Sequence, residues 1–84
     1  MYLAKVFVTL KPTVNDPQGL TIKSALHTLG FSTVESVRAG KYLEIVLNVS
    51  DLAGAEEQVG DMCQKMLANL IIEDFRFDLS EISN

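Results

Sequence analysis

The chain contains no tryptophan, one cysteine (Cys63) and one histidine (His27). A lone cysteine excludes an intramolecular disulfide, and no Cys/His set is present for a structural metal site. This cysteine usage points to a reducing, cytoplasmic setting. Basic residues are also scarce: seven Lys and Arg stand against eleven Asp and Glu, a formal net charge of -4. Such a chain lacks the excess of clustered cations that a general nucleic-acid or anionic-lipid surface needs, so neither nucleic acid nor membrane is expected as a partner. No run approaches the ~18 apolar residues of a membrane span, and MYLAKVFVTL has no basic leader or cleavage site. The protein is therefore read as soluble from Met1 onward.

What is present is the composition of a folded domain, with 48% hydrophobic and 21% charged residues and no signature of disorder. Its 84 residues allow one domain, residues 1–84, with a small core. Stability from that core alone is expected to be marginal, and pairing with another chain would add to it.

Residues 2–10, YLAKVFVTL, put Val6, Val8 and Leu10 on one alternation and read as a buried strand. KPTVNDPQG follows, holding both prolines. Asp16-Pro17 is a helix start: the carboxylate can accept orphan N–H groups, and proline at the first helical position has no N–H to lose. Ile22, Ala25, Leu26 and Leu29 then form one apolar helical face that should end at Gly30, with Phe31 folding back on it.

Residues 32–38 and 41–49 read as two strands joined at Ala39-Gly40 by a tight hairpin with glycine at positive φ. Leu43, Ile45, Leu47 and Val49 make one apolar face of the second, while Tyr42 and Val46 lie on the other. Ser50 or Asp51 can cap a second helix whose apolar positions are Ala55, Val59, Met62, Cys63, Met66 and Leu67. Gly54 and Gly60 weaken it by about 1 kcal/mol each, so packing must hold it in place. Residues 71–79 read as the last strand and the tail after Leu79 as frayed.

The order β-α-β-β-α-β predicts an α+β, ferredoxin-like split sandwich: a four-stranded antiparallel sheet with both helices on one face. The opposite face, carrying Tyr42 and Val46, should be covered by a second copy. In that topology loop 11–19 and the turn at 38–41 share one end, bringing Lys11, Arg38 and Lys41 to the amino end of the first helix. Two readings compete there. Cations at a helix amino terminus can hold an anion. Alternatively they are solvated turn residues with Asp16 already occupying the terminus, which the absence of any phosphate-loop glycine pattern favours.

No catalytic set emerges. His27 lies off the apolar stripe with no nucleophile to serve, and Cys63 reads as a small buried hydrophobe. Glu56, Glu57 and Asp61, and Glu73-Asp74, lack calcium-loop spacing.

VTLKPTVNDPQG at 8–19, ALHTLGF at 25–31, SVRAGKYLEI at 36–45 and EEQVGDMCQKMLANLIIEDFRF at 56–77 together resemble the small, PurS-type subunit family of phosphoribosylformylglycinamidine synthase. DPQG and VRxGKYxE carry the resemblance, with Asn15 and Leu70 departing from the leucine and proline usual there. The resemblance implies a non-catalytic assembly subunit in purine biosynthesis. It would join a large synthetase subunit, which uses ATP and magnesium, to a glutaminase subunit that releases ammonia from glutamine. It also implies a homodimer or a homotetramer, and no cofactor on this chain. Candidate partner-contact residues are Lys11, Asp16, Pro17, Gly19, Arg38, Gly40, Lys41 and Glu44. The alternative is a metabolite-sensing regulatory domain of the same fold class.

Overall fold

Apolar residues alternating along β1 (Tyr2–Leu10) face a helix on one side of the sheet, and the fold is organised around that strand. The computed structural model describes residues 1–82. In chain order β1 is followed by α1 (Pro17–Thr28), β2 (Gly40–Leu47), α2 (Leu52–Met62), a π-helical turn (Cys63–Leu67) and β3 (Glu73–Glu81). β1 is central, with β2 and β3 antiparallel on either side, in the order β2-β1-β3.

The core is one layer deep. Ala4, Val6 and Val8 of β1, with Leu47, are buried against Val59, Cys63 and Ala68, and Phe75, Phe77 and Leu79 close the β3 side. α2 starts where Asp51 accepts the Gly54 N–H at 2.9 Å, as the capping pattern predicts. From α2 through the π turn to its cap the buried positions run Ala55, Val59, Cys63, Ala68. The last step is five residues because Ala68 N–H bonds to the Cys63 carbonyl at 3.0 Å, the widened ring of a π turn. That turn rotates Met66, expected on the apolar stripe, out to 83% exposure.

Cys63 is fully buried, and desolvation raises its pKa, so the thiolate is suppressed. We expect it to react with a thiol reagent at least ten times more slowly in the native chain than in urea. Equal rates measured by absorbance would show the core to be open.

Two expectations are corrected. The sheet has three strands, not four: residues 32–38 join no ladder, and the Ala39-Gly40 hairpin does not form. Among the described residues only Gly30, at φ 101°, has positive φ. Gly40 instead enters β2 directly opposite Thr9, where a Cβ would lie 2.5 Å from the Val8 carbonyl oxygen. Nor do both helices cover one face. α2 lies over β1 and β3, whereas α1 makes no comparable contact with any strand. It packs on residues 34–39, so Ile22 and Leu29, expected in the core, are 39% and 73% exposed, and the Phe31 ring is exposed. The β2 side of the helical face is left half-open at Leu43 and Ile45.

The result is long and thin, 50 × 29 × 14 Å with a radius of gyration of 16.5 Å, against about 12 Å for a compact chain of this length. A nine-residue strand of about 30 Å and a twelve-residue helix of about 18 Å, set end to end, account for the long axis. At the other end β3 runs on past Leu79 to Glu81, and Ile82 N–H bonds to the Met1 carbonyl. The strand therefore does not fray where the sequence suggested. The remainder of the tail, residues 83–84, lies outside the described residues.

Candidate docking site

The end of the sheet where β1 stops is built around one carboxylate. Asp16 is 4% exposed. Its Oδ1 accepts the Gly19 N–H at 2.9 Å, capping α1, and its Oδ2 accepts the Ala39 N–H at 2.7 Å, across to the strand entering β2. Pro17 fills the first helical position, as its fixed φ predicts. Those backbone donors, Ala39 first and then Gly19, hold the carboxyl of Asp16 below its ordinary pKa, with the Arg38 guanidinium adding to them and burial opposing. Gly19 is buried because Val37 crosses it: any Cβ there would collide with the Val37 carbonyl oxygen.

Arg38 completes the joint from the extended segment that precedes β2. Its Nη2 donates to the carbonyls of Lys11 at 2.9 Å and Val14 at 3.0 Å, satisfying loop carbonyls that no ladder reaches. His27 Nε2 lies 2.8 Å from the Val34 carbonyl oxygen, tying the far end of α1 to the same extended segment.

The other two cations of this end are spent on ion pairs. Lys11 Nζ lies 3.2 Å from Asp74 Oδ1. Lys41 Nζ reaches the Leu67 carbonyl at 3.3 Å and Glu73 Oε2 at 3.8 Å. The structure thus does gather Lys11, Arg38 and Lys41, but each faces a carbonyl or a carboxylate of its own chain. Exposed pairs of this kind contribute about 0–1 kcal/mol apiece. Among the described residues no group of three His, Cys, Asp or Glu could hold a metal ion.

Glu44 is not part of this joint. It sits on the opposite sheet face across from Lys5, accepts the Tyr42 hydroxyl at 2.8 Å and raises the pKa of that phenol. On the same face Arg76 lies 3.9 Å above the Phe7 ring, and Phe7 is 5.0 Å from Tyr42, centroid to centroid. Tyr42 and Val46 are half-exposed there, 50% and 58%.

The sequence reading missed the apolar knuckle between the π turn and β3. Ile71 is 85% exposed, Leu70 and Ile72 are exposed on either side of it, and Met66 is exposed in the π turn before them. Ile72 offers its carbonyl to Lys11 N–H at 2.8 Å, which fixes the knuckle at the same end as the Asp16 joint. The available signal was Leu70-Ile71-Ile72, three consecutive apolar residues that break the two-residue alternation of the following strand. Among the described residues no helix is long and apolar enough to cross a membrane.

Comparison with known proteins places this geometry. The PurS family, described as phosphoribosylformylglycinamidine (FGAM) synthase, matches residues 3–81. The phosphoribosylformylglycinamidine synthase subunit PurS of Bacillus subtilis is 44% identical over 82 residues, spanning 98% of this chain and 96% of that protein. The crystal structure of Methanocaldococcus jannaschii PurS superposes with a TM-score of 0.88 at 37% identity, covering 99% of this chain and all of that one. A chain in the structure of PurLQS from Thermotoga maritima shares the fold, with a TM-score of 0.84 at 23% identity over 95% of this chain and 99% of that one.

Proposed function

This chain belongs to the PurS family of phosphoribosylformylglycinamidine synthase subunits, and from that premise we propose that it is the assembly subunit of the complex, supplying contact rather than chemistry. In this reading it joins a large synthetase subunit, which consumes ATP with magnesium, to a glutaminase subunit, so that ammonia passes between their sites. None of those ligands is held by this chain. It acts in the cytoplasm as a homodimer, and the open sheet face around Tyr42 and Val46 is where dimers pair further.

One observation carries the proposal. Asp16, Arg38 and Lys41, the charged side chains of the DPQG and VRAGKY segments, are engaged by the chain's own backbone and carboxylates, while apolar residues at the same end point into solvent. Polar groups shape this end and apolar groups present it. A surface with an apolar centre inside a polar rim is how a protein partner is bound.

The test is size-exclusion chromatography of this chain with the synthetase and glutaminase subunits, glutamine and magnesium-ADP. Co-elution of all three is expected, and separate elution would overturn the reading. Ile71→Asp locates the contact. Because Ile71 is 85% exposed, the fold should change by no more than about 0.5 kcal/mol. Assembly should weaken at least tenfold, as for a centrally placed apolar contact. Unchanged assembly would move the docking surface away from the knuckle.

A further inference from the structure

The core-facing row of β3 runs Leu79, Phe77, Phe75, and at its last place, Glu73, the apolar side chains give way to a carboxylate. Glu73 stands opposite Leu10 at the end of β1, and on the other side of β1 Lys41 of β2 stands opposite Val8. One anion and one cation therefore close a layer otherwise built of apolar side chains, on either side of the central strand. Glu73 keeps only 16% of its side chain exposed. An ion pair so placed stabilises little more than an apolar pair of the same volume would, because desolvation offsets the attraction. What it adds is geometry.

The geometry is that of the knuckle. Glu73 Oε1 accepts the Asn69 N–H at 2.7 Å, reaching from the end of the turn back to its start. Asn69 answers it: its carbonyl accepts the N–H groups of Ile72 and Glu73 at 3.0 and 2.7 Å, and its Oδ1 accepts the Ile71 N–H at 3.2 Å. The arrangement is reciprocal, like a capping box, but closed on a single turn. Lys41 Nζ, beside Glu73 Oε2, also donates to the Leu67 carbonyl where the π turn ends. Both ends of the connection are thus held by one pair of side chains, while Leu70 and Ile71 at its middle stand 46% and 85% exposed.

We propose that Glu73, with Lys41 as its counter-ion, is a positioning residue for subunit docking. It holds Leu70 and Ile71 in the attitude in which they enter an apolar recess of a catalytic subunit, and does not touch that subunit itself. The inference rests on the assembly reading given above and gives Lys41, a residue of the VRAGKY segment, an indirect part in it. Two observations fit. The bonds of Glu73 and Asn69 all go to the backbone of their own turn, so they fix its shape and leave its apolar side chains to meet a partner. A turn fixed beforehand also binds more tightly than a loose one making the same contacts, since no ordering of chain or side chains opposes association.

Titration calorimetry of this chain with the synthetase and glutaminase subunits, glutamine and magnesium-ADP tests the role. Glu73→Ala is expected to raise the Kd about fivefold or more, the ordering of two side chains. Glu73→Gln, whose amide oxygen still accepts the Asn69 N–H, should return it to within about twofold, and in an Ile71→Asp chain Glu73→Ala should add less than about twofold, because a knuckle that no longer docks has nothing left to position. Glutamine no better than alanine, or the same loss in both backgrounds, would mean that the partner touches the carboxylate directly, and overturns the proposal. Asn69→Ala, at an exposed position, removes the Ile71 bond without reaching the core and should weaken assembly by a similar factor. A lower melting temperature for Glu73→Ala with unchanged affinity would make Glu73 structural only. Light scattering of the isolated chain should give the same mass with and without Glu73→Ala; a smaller mass would mean that the knuckle faces another copy, which also overturns it. Failure of the unmodified chain to assemble removes the assembly reading and this inference together, whereas assembly that Glu73→Ala leaves intact removes this inference alone.

Discussion

Gly19→Ala is expected to cost about 2–3 kcal/mol, whereas the same substitution at Gly60 should stabilise the chain by about 0.5–1 kcal/mol. Both glycines lie in helices. At Gly60 a Cβ would meet nothing within 4 Å, so alanine simply removes backbone freedom from the unfolded chain. At Gly19 it would strike the Val37 carbonyl and stand 2.8 Å from Asp16 Oδ2. The obstacle is backbone, held by the neighbouring Arg38 and Ala39 bonds, and cannot rotate aside. In a chain of this size the loss corresponds to a fall in Tm of roughly 10–20 °C, followed by circular dichroism on heating. Equal shifts at the two positions would mean that the joint between α1 and residues 37–39 is not rigid.

Acid should loosen the same joint. The carboxyl of Asp16 titrates below the ordinary 3.8 because the N–H groups of Ala39 and Gly19 favour its charged form. The unfolded chain, with the higher pKa, takes up the proton first. The stabilisation is therefore complete above the unfolded value of about 4 and is lost as pH falls through the lower folded value. Asp16→Asn removes the charge and turns an amide donor toward one of the two N–H groups. At pH 6 the urea midpoint of the asparagine variant should lie well below that of the unmodified chain, and at pH 3 the gap should narrow. A gap that is constant from pH 6 to pH 3 would show that the Asp16 charge does not act on stability. Other carboxyls titrate in both proteins and cancel in the comparison.

Local signals in the sequence were legible in proportion to how local their causes are. β1 alternates buried and partly exposed residues over the span its pattern marks, and Asp16-Pro17 and Asp51 start their helices through bonds to residues three positions on. The fourth strand was a different matter. Residues 32–38 carry strand composition, but composition does not say which edge a strand joins, and here they join no ladder of the sheet. α1 fails as a core helix for the same reason. Its stripe at Ile22, Ala25, Leu26 and Leu29 reports an apolar surface to be covered without naming the cover.

The docking end shows a similar division. Chain topology sufficed to bring Lys11, Arg38 and Lys41 together, since β1 and β2 are adjacent. It could not reveal that Arg38 would satisfy two loop carbonyls or that Asp74 and Glu73 would meet the lysines, because β3 lies far along the chain from both of them. Glu44 shared a motif with Lys41 but not a face: three residues along a strand reverse the side.

The π turn gives the chain an extra residue without an extra loop. Spacing its inward positions by five instead of four lets a helix absorb a one-residue length change and still deliver the next strand in register. Removing Gln64 would restore ordinary helical winding, yet it would also turn the knuckle at 70–72 toward a new bearing. Between relatives, a one-residue gap at this place would therefore alter the presented surface far more than it alters the core, leaving a point where length can set partner choice.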